Sequence, residues 1–205
     1  MEKPADQSRN LKQKLIEICC QMIDEKKGLN NISLRSIARK AGCAHTNIYN
    51  FFGDFNSFLY AAMIHTMENI ILFTQKQVGT RARNFEHFPA FIDAQIDFAH
   101  QHEGLFRFIW LEKIEEPIPL RVTQFSEELK KRFAELVYNS MQEKVPRNAA
   151  YEISYILHSY LHGELCKFIT RRTIGMTFDK FKVELNGNIQ KMMFLLMESY
   201  EKFIG

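Results

Sequence analysis

The sequence predicts an all-α protein of about nine helices. Three observations carry that expectation. Apolar residues recur at intervals of three and four over long stretches, the period of an amphipathic helix. Gly and Pro are sparse, 9 and 5 among 205 residues. Little in the chain alternates as a half-buried strand would. A hydrophobic share of 46%, with 18 Phe, is enough to fill a core, so disorder is not expected.

The elements follow in order. A first helix is predicted over roughly 9–27, where Leu11, Leu15, Ile18, Cys19, Met22 and Ile23 share a stripe, with Gly28 as its C′ residue. Ser33 is a good cap for a second helix. Ile32 and Ile37 stand at the positions of a hydrophobic staple, Leu34, Ile37, Ala38 and Ala41 form the buried stripe, and Gly42 turns the chain. The third helix is short, about 44–51, anchored by Ile48 with Phe51 or Phe52. Gly53 and Asp54 end it, and Asp54 can cap a fourth helix over 55 to about 77. "GTRARNFEHF" reads as a loop. A fifth helix starts near Pro89 with the stripe Phe91, Ile92, Gln95, Ile96 and Ala99. Gly104 interrupts before the shorter "LFRFIWLEKI". "EEPIPL" is a break. A seventh helix runs to about 143, an eighth over roughly 147–171, and Thr177 can cap a ninth.

The third helix raises a functional question. A helix of about eight residues is too short to stand alone, yet His45, Thr46, Asn47, Tyr49 and Asn50 crowd hydrogen-bonding groups into six residues. A helix-turn-helix uses such a helix, braced on one side, to enter the DNA major groove. His45, Thr46 and Asn50 can address base edges, Asn50 in a bidentate pair with adenine. Tyr49 and Thr46 can reach phosphates, and Arg35, Arg39 and Lys40 add charge nearby. The expected DNA-binding set is Arg35, Ala44, His45, Thr46, Asn47, Tyr49 and Asn50, and the partner is double-stranded operator DNA. Periodicity alone leaves an ordinary helical hairpin with a solvated face equally open. Charge supports the first reading. Residues 1–53 hold nine Lys or Arg against five Asp or Glu, a net +4, leaving −1 for the rest of a chain of net charge +3.

The string "SLRSIARKAGCAHTNIYNFFGDFNSFL" resembles the N-terminal helix-turn-helix of the TetR family of bacterial repressors. Ser33, Ile37-Ala38, Ala41-Gly42, Ile48-Tyr49, Phe52 and Leu59 carry the resemblance. The remainder resembles the family in helix count, length and order, and "IDFAHQHEGLFRFIW" resembles the segment that often opens its regulatory domain. There are departures. Phe55 stands where the family usually has Lys, Thr46 where a Gly is expected, and Ala44 where a capping Ser is usual. The resemblance implies a homodimer joined through the last two helices, and a pocket for a small-molecule effector. It divides the chain into a helix-turn-helix domain, 1–54, and an effector-binding and dimerisation domain, 55–205.

The body fits those implications on its own terms. "ISYILHSYLHGELCKFI" and "IQKMMFLLMESYEKFI" are apolar nearly all round, and such helices must bury two faces. Gly163 and Gly187 would permit close helix approach. Aromatics cluster in the fifth to eighth helices, among them Phe106, Phe108 and Phe125. Gln95 and Glu164 interrupt apolar stripes, and a buried polar group needs a partner. The expected ligand-binding set is Phe91, Gln95, Phe98, Trp110, Phe133, Tyr160 and Glu164, the makeup of an apolar pocket with a few polar groups.

His158, His162 and Cys166 share a helix face at four-residue spacing, and "HQH" occupies 100–102. Nothing nearby completes four ligands, so no metal and no cofactor is expected. GxSxG, Walker and HExxH patterns are absent, so no catalytic residue and no enzyme is expected. Cys19, Cys20, Cys43 and Cys166 lack CxxC spacing and read as free thiols of a reducing cytoplasm. The polar opening "MEKPADQSRN" is not a secretory signal, and no run reaches the ~18 apolar residues of a membrane span. The chain therefore reads as a cytoplasmic transcriptional regulator, a repressor released from its operator by a small apolar ligand. Two alternatives stand beside it: a helix-turn-helix protein organising DNA or a complex without an effector, and a metal- or thiol-sensing regulator.

Overall fold

The computed structural model describes residues 4–30, 32–79, 87–115, 117–142 and 144–204. Among the described residues there are nine helices and no strand. They are α1 (Pro4–Lys26), α2 (Leu34–Ala41), α3 (Thr46–Phe52), α4 (Phe55–Val78), α5 (Phe88–Gln101), α6 (Glu103–Trp110), α7 (Leu120–Ser140), α8 (Arg147–Ile169) and α9 (Phe178–Ile204). The loop expected at 79–88 falls largely outside the described residues. None of the described helices is long and apolar enough to cross a membrane.

The chain divides into two compact units. One comprises Met1–Ile70 and His102–Thr123, the other Ile71–Gln101 and Gln124–Gly205. The unit that contains the helix-turn-helix thus reaches past residue 54 and takes in α6. Its interior includes Leu15, Cys19 and Ile23 of α1, Ile37 of α2, Ile48 of α3 and Phe58 of α4, all at 0% exposure.

Two local expectations in this unit are corrected. The left-handed residue after α1 is Lys27, at φ 56°, while Gly28 follows at φ 138°. The Gly28 N–H reaches back to the Ile23 carbonyl at 3.0 Å, so Gly28 stands one place beyond the C′ position. Gly104 does not interrupt a helix but lies in the first turn of α6, after a break at His102. A Cβ there would sit 2.3 Å from the Ile23 carbonyl oxygen and 2.5 Å from Asp24 Cα. The glycine is needed because α6 lies directly on the end of α1. Asp24 seals the contact: its carboxylate accepts the Gly104 N–H at 3.2 Å and lies 2.7 Å from His102 Nδ1. Lys27 and Arg107 both bind Glu103 at 3.0 Å.

In the second unit α5 and α9 meet along a polar seam. Lys182 binds both carboxylate oxygens of Asp97, at 2.7 and 2.8 Å. One turn on, Asn186 donates to the Pro89 carbonyl at 2.9 Å and to Asp93 at 2.6 Å. A further turn on, Gln190 donates to Asn186 at 2.8 Å. Thr177 caps α9 as expected, its hydroxyl accepting the Lys180 N–H at 3.4 Å.

Candidate nucleic-acid interface

The helix-turn-helix is built by local capping. Ser33 is extended (φ −143°, ψ 154°). Its Oγ accepts the Ser36 N–H at 3.2 Å, and Ser36 Oγ accepts the Ser33 N–H at 3.0 Å. Two of the four unpaired donors of a helix start are thereby satisfied. At the other end Gly42 takes φ 73°, the left-handed turn for which glycine is suited. The Cys43 N–H then closes on the Ala38 carbonyl at 3.0 Å. From α1, Lys14 Nζ donates to the Ala41 carbonyl at 3.0 Å and satisfies a further free acceptor.

The helix α3 begins at Thr46 rather than 44, with His45 at the cap position and no side-chain cap hydrogen bond. That is the consequence of Ala44 standing where a hydroxyl would cap. Asp54 replaces the missing local order at the next start: its carboxylate accepts the Ser57 N–H at 2.7 Å and the Ser57 hydroxyl at 3.0 Å. The hydrogen bonds from Ser57 hold the exposed Asp54 carboxyl below its ordinary pKa.

Ile48 is fully buried and fixes which side of α3 faces inward. Thr46, Tyr49 and Asn50 lie on the opposite side and are exposed, as are Arg35, Ala44 and His45, while Asn47 is half-buried. Within the described residues the side chains of His45, Thr46, Asn47, Tyr49 and Asn50 make no internal hydrogen bond. All seven expected DNA-binding residues therefore lie on the α2–turn–α3 segment, six of them exposed. The cations differ from one another. Lys40 is bound to Glu25 at 3.1 and 3.3 Å, so its charge is partly cancelled. Arg35 and Arg39 have no acidic partner among the described residues. The involvement of Glu25 and Lys14 was not legible in the sequence, because their partners lie 15 and 27 residues away.

The residues expected to bind a ligand are distributed over several settings. Phe91 stacks on Phe133 at 5.6 Å, and Phe98 meets Phe73 edge-on at 5.5 Å. Gln95 donates to the buried Thr74 hydroxyl at 2.8 Å. The Tyr160 hydroxyl receives Asn188 at 3.3 Å, and Glu164 pairs with Lys167 at 2.6 Å. Trp110 belongs to the first unit and is 42% exposed. His158 and His162 lie with ring centroids 4.1 Å apart. Among the described residues no three His, Cys, Asp or Glu side chains are gathered as a metal ion would need.

The all-helical fold is similar to that of solved structures described as TetR-like transcriptional regulators. A protein of unknown function from Rhodococcus sp. RHA1 superposes with a TM-score of 0.70 at 19% identity, over 88% of this chain and 94% of that one. A TetR-like transcriptional regulator from the same organism superposes with a TM-score of 0.61 at 12% identity, again over 88% of this chain and 94% of that one. No family model matches the sequence. No curated protein matches it either.

Proposed function

We propose that the chain is a DNA-binding transcriptional regulator, a homodimeric cytoplasmic repressor that a small apolar ligand releases from its operator. One observation carries the DNA-binding part. A short helix anchored by the buried Ile48 presents outward a set of side chains that, among the described residues, make no internal hydrogen bond, beside Arg35 and Arg39, which have no acidic partner among those residues. Such a surface suits a partner that offers both base edges and phosphates. The likeness of fold to a TetR-like regulator agrees with this reading.

In this reading residues 1–54 contact operator DNA and 55–205 carry dimerisation and effector control. A second copy of the chain is the partner for the exposed apolar residues of the last two helices, Tyr155 and Ile156 on α8 and Val183, Phe194 and Leu195 on α9. Gly163 and Gly187 are open to the outside, with nothing within 4 Å of an added Cβ. A helix of the second copy can therefore approach closely. The effector would lie among the aromatics of the body, against Phe91, Phe98, Phe133 and Tyr160. A ligand that favours the non-binding form lowers operator affinity by linkage, and a coupling of about 1–3 kcal/mol loosens the operator roughly 5- to 150-fold.

Selection of bound sequences from a random duplex pool, followed by a thermal-shift screen of ligands, tests the proposal. The expected result is one enriched palindromic operator and a ligand that binds the free dimer more tightly than the DNA-loaded dimer, by the factor with which it weakens the operator. No enrichment over random sequence would end the operator claim. A ligand that binds both forms equally would end the regulatory one.

A further inference from the structure

We propose that Lys12 of α1 is a DNA-phosphate contact, an ammonium held against the end of the recognition helix. The inference rests on the DNA-binding reading above and names a residue outside the helix-turn-helix itself. It comes from sorting the cations of the first unit by what they touch. Lys14, Lys27 and Lys40 are engaged internally, on the Ala41 carbonyl, Glu103 and Glu25. Lys12 is exposed and has no acidic partner among the described residues.

It is nonetheless held in place. Its Nζ lies 5.0 Å from the ring centroid of Phe52, the last residue of α3. The Phe52 ring in turn lies 4.8 Å from that of Phe58, which is fully buried. An aromatic face attracts a cation without cancelling its charge. Three ammonium N–H groups are present, and one ring face cannot occupy them all. The ammonium therefore keeps its full charge and spare donors while its position is tied to α3. A recognition helix in the major groove lies between two phosphate ribbons, and a cation fixed at its end is carried to the backbone with it. Preorganisation matters here, because a long side chain immobilised before binding loses less freedom on contact.

Fluorescence-anisotropy titrations of the full chain against a mixed-sequence duplex and the selected operator, over a range of salt concentrations, test the assignment. Each phosphate neutralised contributes about 0.9 to the slope of log affinity against log salt. Lys12→Gln should make that slope shallower by about 0.9 and weaken binding about eightfold at 0.1 M salt on both duplexes alike. Lys12→Arg should restore the wild-type slope. A Lys12→Gln protein with an unchanged slope overturns the assignment, even if affinity falls, since a purely structural clamp would lower affinity without releasing fewer counterions. A loss confined to the operator overturns it in favour of base readout. Wild-type protein that binds neither duplex overturns the DNA-binding reading itself, an outcome distinct from both.

Discussion

Tyr49 is 47% exposed on α3, and its hydroxyl has no partner within the described residues, so its use lies outside the fold. On the DNA-binding reading the hydroxyl meets a phosphate. Tyr49→Phe should then weaken binding by about 1 kcal/mol, the net worth of a typical hydrogen bond, on every duplex alike. A loss at one base position only would make Tyr49 a base-reading residue. Gly104 is the opposite kind of residue, wholly determined from within. Its added Cβ would meet the backbone of Ile23 and Asp24, at 2.3 Å from the nearest oxygen, and backbone cannot rotate aside. Gly104→Ala should therefore destabilise the protein by about 1–3 kcal/mol, as overpacking does. Urea denaturation reads this directly, and an unchanged midpoint would show that α6 can lift off α1 at no cost.

At the scale of the element, α8 holds a pair of histidines whose protonation burial opposes. Burial pushes the His158 pKa down, with Lys130 adding to the effect. Burial pushes His162 well below its ordinary value, with His158 adding to the effect. The folded state thus takes up these protons at lower pH than the unfolded chain does. At neutral pH both forms are uncharged and nothing is lost. As pH falls through the ordinary histidine range of about 6.5, the unfolded chain gains protons first and stability declines. The decline continues until the folded pKa values are passed. Replacing both histidines by Gln should flatten stability between about pH 6.5 and pH 5. Equal slopes for variant and wild type, from denaturant midpoints across that range, would sink the assignment. The α5–α9 seam belongs to this scale too. Lys182, Asn186 and Gln190 look like an ordinary solvated row at helical spacing, and only the facing Asp93 and Asp97 show that they fix the register of two helices.

For the whole molecule, the dimer reading turns on which surfaces would meet a second copy. Adjacent residues of α9 separate the possibilities. Met193, on the apolar side of the helix, is 3% exposed and belongs to the subunit's own core, whereas Phe194 is 52% exposed. Phe194→Glu should yield a folded monomer by sedimentation, with helix content intact, because it charges only the outward face. Met193→Glu should instead lower thermal stability, since it buries a charge without a partner. If the wild type sediments as a monomer at micromolar concentration, the dimer reading is wrong.

The sequence by itself determined the helical class, the number and order of helices, the caps at Ser33, Asp54 and Thr177, and the outward set on α3. All of these depend on contacts three or four residues apart, which the linear order displays. Helix ends were less legible: the left-handed turn after α1 falls on Lys27, whose N–H meets the Asp24 carbonyl, while the Gly28 N–H closes on the Ile23 carbonyl five residues before it. Tertiary structure alone decided what covers each face. The sequence marked Gln95 and Glu164 as polar residues on apolar stripes, but not that Gln95 is satisfied by Thr74 and Glu164 by Lys167. It placed Lys40 beside α3, but not in the grip of Glu25. It read Gly104 as a break, when the nearness of α1 makes it a point of contact. Helical period assigns a side chain to a face, while the partner that lies there comes from a distant part of the chain, and no local spacing records it.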